Sequence, residues 1–225
     1  MNRYEFLTKI HQLVGTRRYL EIGVQTGASL QCAASSPNID TIVGVDPDLS
    51  LLQYQPEKTV LAEITSDEFF AAEPDFTGPD GSSWLDVVFI DGLHHSEQVW
   101  KDLYNAALLG HHKTVYILDD VLPRNQEEAS RDMIPGDWTG DVWKVLTPLH
   151  DYLVDETLYG TVDTFPTGVA VICGDLNTVG MYDDYFTLEP RFLDTSVEVP
   201  DRILHRTYVN TPDSILKGVE QWLKA

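Results

Sequence analysis

The 225 residues predict an α/β domain, a mostly parallel sheet with helices on both faces and an antiparallel pair at its end. Three observations predict it. Short runs rich in β-branched and aromatic residues alternate with helical patterns along most of the chain. One of these runs, LDVVFIDG (85–92), is nearly all apolar, as a strand buried on both faces must be. Two late runs, TLYGTVDT (157–164) and GVAVICG (168–174), are separated by so short a turn, PTG (166–168), that they read as an antiparallel hairpin.

The elements follow in order. MNRYEFLTKIHQLVG reads as an amphipathic helix and lacks the apolar core of a secretory signal. RRYLEIGV (17–24) is a strand entering a glycine turn, and TGASLQCAASS (26–36) is the helix after it. TIVGVD (41–46) is a second strand ending on Asp46, and KTVLAEIT (58–65) is a third. Helical SDEFFAAE follows, with Ser66 as its expected N-cap. After the fourth strand (85–92), SEQVWKDLYNAALLG (96–110) is a helix closed by a glycine, and KTVYILDDV (113–121) is a fifth strand. DVWKVLTPLHDYL (141–153) reads as a helix in which Pro148 is a candidate break or kink. Residues 1–175 are taken as the domain. Residues 176–225, which end in the helix SILKGVEQWLKA, are taken as an appendage packed on it.

Composition narrows the function classes. A formal net charge of -21, from 36 acids against 15 bases, disfavours nucleic acid and anionic membranes as partners. No apolar run approaches the length of a membrane span. Cys32 and Cys173 have no metal-type spacing and are expected as lone thiols in a reducing, cytoplasmic setting. The expected partner is a small molecule, and a homo-oligomer is left open.

In sheets of this class, ligands lie outside the carboxyl ends of the strands, near the switch in strand order. The polar residues that stand out sit there: Glu21 to Gly27, Asp46, Asp91 to His95, and Asp119 with Asp120. In EIGVQTG, Gly23 and Gly27 allow a tight turn and close approach of backbone to a ligand. The spacing is not G-x-G-x-x-G, which argues against a nicotinamide dinucleotide. Asp46, closing the second strand, is placed to accept hydrogen bonds from ribose hydroxyls, so a nucleoside-bearing cofactor is expected. In FIDGLHH, Asp91 and His94 share one turn and can face one cleft. A carboxylate and an imidazole so placed suit a metal ligand and a proton acceptor, or a helix cap and a surface histidine.

EIGVQTG, VGVD, FIDGLHH and ILDD, in that order, resemble a class I S-adenosylmethionine-dependent methyltransferase over roughly residues 15 to 175. The closer likeness is to the metal-dependent sugar O-methyltransferases of the macrocin and mycinamicin type. The resemblance implies a Rossmann-like, seven-stranded sheet with a reversed final hairpin. It also implies that Glu21, Gly23 and Gly27 hold the cofactor's methionine part and that Asp46 holds its ribose. Ser66 and Asp67 then lie near adenine, with Asp91 also against the cofactor. Asp91, Asp119 and Asp120 become the ligands of Mg²⁺ or another divalent cation, and Asp91 and His94 the catalytic pair, with His94 as base. Asp91 and Asp119 are preferred over Asp120, whose side chain should alternate away. The reaction implied is O-methylation of a small-molecule hydroxyl of sugar or natural-product type. A metal-independent methyltransferase and a non-catalytic nucleoside-binding domain are the alternatives.

The stretch 122–144 is long for a connection in a compact domain. Arg124, Trp138 and Trp143 are candidates to line an acceptor pocket there. Simple packing of the loop by the two tryptophans is the competing account.

Overall fold

A computed structural model describes residues 1–77, 84–153, 157–176 and 185–225. Its strands are β1 (Arg18–Ile22), β2 (Thr41–Val45), β3 (Thr59–Ala62), β4 (Val87–Ile90), β5 (Val115–Asp119), β6 (Leu158–Val162) and β7 (Val169–Cys173). They form one sheet in the order β3-β2-β1-β4-β5-β7-β6. Strands β1 to β5 run parallel, and β7 lies antiparallel between β5 and β6. The fold class and the reversed final pair expected from the sequence are both present.

Helices α1 (Arg3–Val14), α2 (Ala28–Ala33) and α8 (Pro212–Lys224) cover one face. Helices α3 (Ser66–Ala71), α4 (Ser96–Ala107), α5 (Leu146–Tyr152), α6 (Tyr185–Leu193) and α7 (Asp201–Leu204) cover the other. Strand alternation divides the core between them. Tyr19, Val87, Phe89, Val115 and Ile117 pack under the first layer. Leu20, Val88, Ile90, Tyr116 and Leu118 pack under the second. The strands of the middle of the sheet are buried on both faces, which explains why 85–92 is so uniformly apolar.

Local chemistry sets the helix ends. Asn2 and Glu5 form a capping box that starts α1, and Gly15 ends it in the left-handed region at φ 67°. For α3 the cap is Thr65 rather than the expected Ser66. Thr65 is extended and has Glu68 three residues on, so that pair closes the box and Ser66 becomes the first helical residue. Pro148 does not break its helix. It is the third residue of α5, where a backbone N–H has no intrahelical acceptor to lose, and a 3₁₀ turn (Val142–Val145) leads into it.

The C-terminal segment shares both cores. Ile215 and Val219 of α8 join the first layer, and Phe192 of α6 lies 5.9 Å from Trp100 of α4. Residues 177–184 of that appendage lie outside the described residues. Cys32 and Cys173 are free and buried. No described helix is long and apolar enough to cross a membrane.

His11 is fully buried in α1, edge-on to Tyr19 at 4.7 Å, with Nδ1 3.1 Å from the Thr16 hydroxyl. Burial pushes its pKa down to about 3, from 6.5. The unfolded chain therefore takes up a proton between those values that the folded chain refuses, and stability falls as the pH drops through that window. His11→Phe should flatten the decline of melting temperature between pH 6.5 and 3 relative to the parent protein, measured by thermal unfolding across that range.

A candidate active site at the switch in strand order

Strands β1 and β4 are neighbours while the chain crosses outward on either side of them, so the switch point lies between their carboxyl ends. A cleft of about 890 Å³ opens there. Gly23 leaves β1 at φ 90°, and a Cβ on it would lie 1.9 Å from the Asp91 carbonyl oxygen. Gly27 has φ 78°, and its Cβ would lie 2.1 Å from the Tyr54 carbonyl oxygen. Both glycines let protein backbone pass close by, where the sequence suggested approach to a ligand. Gly23 lines the cleft, whereas Gly27 does not.

Asp46 ends β2 at the same mouth. Its Oδ2 accepts from Val24 N at 2.8 Å and Gln25 N at 3.0 Å, and its Oδ1 accepts from Asp48 N at 2.9 Å. It braces the glycine turn and still has acceptor capacity facing the cleft. Ser66 and Asp67 line the opposite wall with Gln98 of α4. The Gln98 amide donates to Ser66 Oγ at 3.2 Å, Asp67 Oδ1 at 3.0 Å and Asp102 Oδ1 at 3.0 Å. Sequence reasoning missed Gln98, because on an amphipathic helix it reads as a surface position.

At the far end, Asp91 Oδ1 and Asp120 Oδ2 each lie 3.3 Å from His94 Nε2. The donor atoms of these three residues fall within 4.8 Å of one another. The trio differs from the set expected from the sequence. Asp119 follows Ile117 in phase and, like Asp91, faces the layer that contains α1. There it is buried against the guanidinium of Arg3, away from the cleft. Asp120 should have alternated to the other face. Its φ of 61°, in the left-handed region, turns it back into the cleft instead. Asp119 Oδ1 holds that bend by accepting from Asp120 N at 2.9 Å, and the Thr167 hydroxyl of the β6–β7 turn donates to Asp120 Oδ1.

Arg3 also lies 3.4 Å from Asp91 Oδ2. It stands at the first residue of α1, the positive end of that helix dipole, where a cation is disfavoured. Two carboxylates outweigh that. Nothing in the sequence singles Arg3 out.

The electrostatics follow from burial and crowding. Burial and the neighbouring Asp91 and Asp120 charges push Asp119 well above the usual carboxyl range. Burial and Asp91 push Asp120 up to about 6. Burial alone would lower His94. The hydrogen bond to Asp91 and the charges of Asp91 and Asp120 overcome it, and the ring is held up at about 9. Geometry says the same. Nδ1 is 3.0 Å from the Trp138 carbonyl oxygen and Nε2 faces two carboxylates, so both nitrogens meet acceptors. With no cation bound, this arrangement favours the imidazolium form, which has no free lone pair with which to take a proton.

The loop 122–144 docks on this end of the cleft. Arg131 pairs with Glu97 and Asp141. Asp141 caps α4 from outside by accepting from Ser96 N at 2.8 Å. Of the three candidates in the loop, only Trp138 lines the cleft, with its ring 4.9 Å from that of His94. Trp143 is buried in the core, and Arg124 does not line the cleft but pairs with Glu128 and with Asp137, which does.

Residues 20–121 match the family model described as a methyltransferase domain, a little under half of the chain. Solved structures agree in architecture. The O-methyltransferase TomG from Streptomyces achromogenes, involved in tomaymycin synthesis and solved with SAM, is 17% identical, with TM-score 0.57 over 76% of this chain and 79% of its own. The fold is a methyltransferase fold. An O-methyltransferase from Bacillus cereus in complex with SAH is 15% identical, with TM-score 0.57 over 76% of this chain and 80% of that one. The SAH-bound Podospora anserina methyltransferase PaMTH1 is 16% identical, with TM-score 0.53 over 76% and 77%. No curated protein matches the sequence significantly.

Glu21, the acid of the methyltransferase turn, does not line the cleft. It is fully buried beneath it, accepting from Tyr19 Oη at 2.7 Å and from the Ser29 hydroxyl. Burial raises its pKa from 4.5 to about 8. The folded state binds this proton more tightly than the unfolded chain, so the stability it contributes is present below 4.5 and lost as pH rises to about 8. The isosteric Glu21→Gln should therefore melt progressively higher than the parent as pH rises through that window. The gain should be of order 5 kcal/mol at its limit, followed by denaturation at pH 5, 7 and 9.

Proposed function

We propose that the protein is an S-adenosylmethionine-dependent methyltransferase acting on a hydroxyl of a small molecule, of sugar or natural-product type, with help from a divalent cation. One observation carries this reading: Asp91, His94 and Asp120 converge beside the glycine turn at the switch point of a methyltransferase fold. The cofactors named with the structural neighbours, SAM for TomG and SAH for the Bacillus cereus enzyme, support the choice of cofactor. In this reading Asp46 binds the ribose, the 23–25 turn lies against the methionine part, and Ser66, Asp67 and Gln98 border the base. The carboxylates at the far end favour the positively charged sulfonium. Two buried free thiols suit a reducing cytoplasm, where we place the protein.

The donor chemistry fits a cation. Adjacent vertices of an octahedron with bonds of about 2.1 Å are roughly 3 Å apart, close to the 3.3 Å that separates His94 Nε2 from each carboxylate oxygen. Asp91, Asp120 and His94 would hold the ion, and the imidazole admits Mn²⁺ or Zn²⁺ as well as Mg²⁺. A cation there would lower the pKa of an acceptor hydroxyl set against it. His94 cannot then serve as both ligand and base through Nε2, so the two roles the sequence suggested for this cluster compete for one nitrogen.

A second reading is favoured by a specific observation. Arg3 and the His94 imidazolium already place positive charge among the carboxylates. On that reading, methyl transfer proceeds without a metal, the two side chains orient the acceptor oxygen, and Asp120 is the group left to take its proton.

Calorimetry on protein stripped with EDTA separates these readings. S-adenosylmethionine should bind, and Asp46→Ala should weaken it without loss of fold. Mn²⁺ should bind to the parent and at least about tenfold more weakly to Asp120→Asn. Absence of Mn²⁺ and Mg²⁺ binding selects the metal-free reading, and absence of cofactor binding overturns both.

A further inference from the structure

We propose that Trp138 is the positioning residue of this cluster: it holds the His94 ring so that Nε2, and not the ring carbon Cε1, is presented to Asp91 and Asp120. The inference rests on the reading that the cluster is the reactive end of the cleft.

An imidazole is nearly symmetric in shape. A half-turn about χ2 exchanges the places of its ring nitrogens and carbons at little steric cost, so packing alone leaves its chemistry undecided. Two contacts from one residue decide it. The Trp138 indole stacks on the His94 ring, with centroids 4.9 Å apart and planes 23° from parallel. The Trp138 backbone carbonyl lies 3.0 Å from Nδ1. A carbonyl only accepts, so Nδ1 must carry a hydrogen, and the opposite nitrogen is the one that meets the carboxylates. A backbone carbonyl or carboxylate on the far nitrogen is how proteins commonly orient a histidine ligand.

Trp138 can do this because it is itself held. Its indole Nε1 donates to the Ser130 carbonyl at 2.6 Å, and its backbone N donates to the Gly136 carbonyl at 3.0 Å. His95 meets its ring edge-on at 6.4 Å. Two residues on, Gly140 at φ 57° passes so near the 91–95 turn that a Cβ would lie 1.8 Å from the His94 carbonyl oxygen. Asp141 N then donates to that same oxygen at 3.2 Å. The loop thus grips His94 at both ring and backbone.

The ring signals of His94 in ¹H–¹⁵N and ¹H–¹³C spectra, with Mn²⁺ affinity, test this. In the parent, the His94 ¹⁵N signals should show one ring orientation, with Nδ1 protonated against the Trp138 carbonyl. Trp138→Ala should lose that signature and weaken Mn²⁺ binding about ten- to a hundredfold. Trp138→Phe keeps an aromatic face and should restore both, with affinity within about threefold of the parent. Cofactor binding reports on folding. If Trp138→Ala fails that control, Trp138→Leu, which fills the space without an aromatic face, replaces it in both readouts. Unchanged His94 signals in Trp138→Ala would overturn the inference, as would an altered ring with parental Mn²⁺ affinity. If the parent binds no Mn²⁺, the metal reading alone fails, and the ring signals still decide the role of Trp138.

Discussion

Three carboxyl groups, Asp91, Asp119 and Asp120, are gathered at the ends of two adjacent strands, and the site depends on how their repulsion is offset. Two like charges 4 Å apart cost about 4 kcal/mol at the screening typical near a protein surface, and more when buried. Arg3 answers Asp119 and Asp91, and His94 answers Asp91 and Asp120. Burial, together with the repulsion that these two cations leave uncompensated, holds the pKa values of Asp119 and Asp120 up. Removing one partner would strand a buried charge, which is why the first residue of α1, the turn after β4 and the end of β5 form one electrostatic unit.

That unit is built from segments far apart in the chain, and the fold brings each to the cleft by a separate device. Gly23 lets the end of β1 pass against the backbone of Asp91. The left-handed bend at Asp120 turns a side chain against the strand's alternation. The 122–144 loop is pinned to the start of α4 through Arg131 and Asp141, and so carries Trp138 onto His94. The bend at Asp120 and the close approaches at Gly23 and Gly140 all lie at this end of the sheet. The strands behind it are regular and buried, and they supply the rigidity that such a bend requires.

Much of this was legible from the sequence. The strands announced themselves by composition, and Asp46, Asp91 and His94 by their places at strand ends. Where the reading departed from the structure, the cause was local each time. Asp119 is preferred over Asp120 on the sequence, but no pattern tells of Arg3 waiting on the face to which Asp119 points. Strand alternation sends Asp120 away, because a positive φ on an aspartate leaves no mark in a sequence. Membership of the turn motif suggests that Glu21 faces the cleft. Its phase with Tyr19 puts it beneath the turn instead.

The sequence by itself determined the α/β class, the reversed last pair of strands and the end of the sheet at which the acidic and histidine side chains gather. Each of these follows from short-range periodicity and from turn residues whose effect is felt within a few positions. Only the tertiary structure decided which carboxylates share the cleft, which nitrogen of His94 faces them and that an arginine at the start of the chain neutralises them. Those facts depend on contacts between residues such as 3 and 119, or 94 and 138, and no local pattern encodes the direction in which a side chain points once distant segments are packed together.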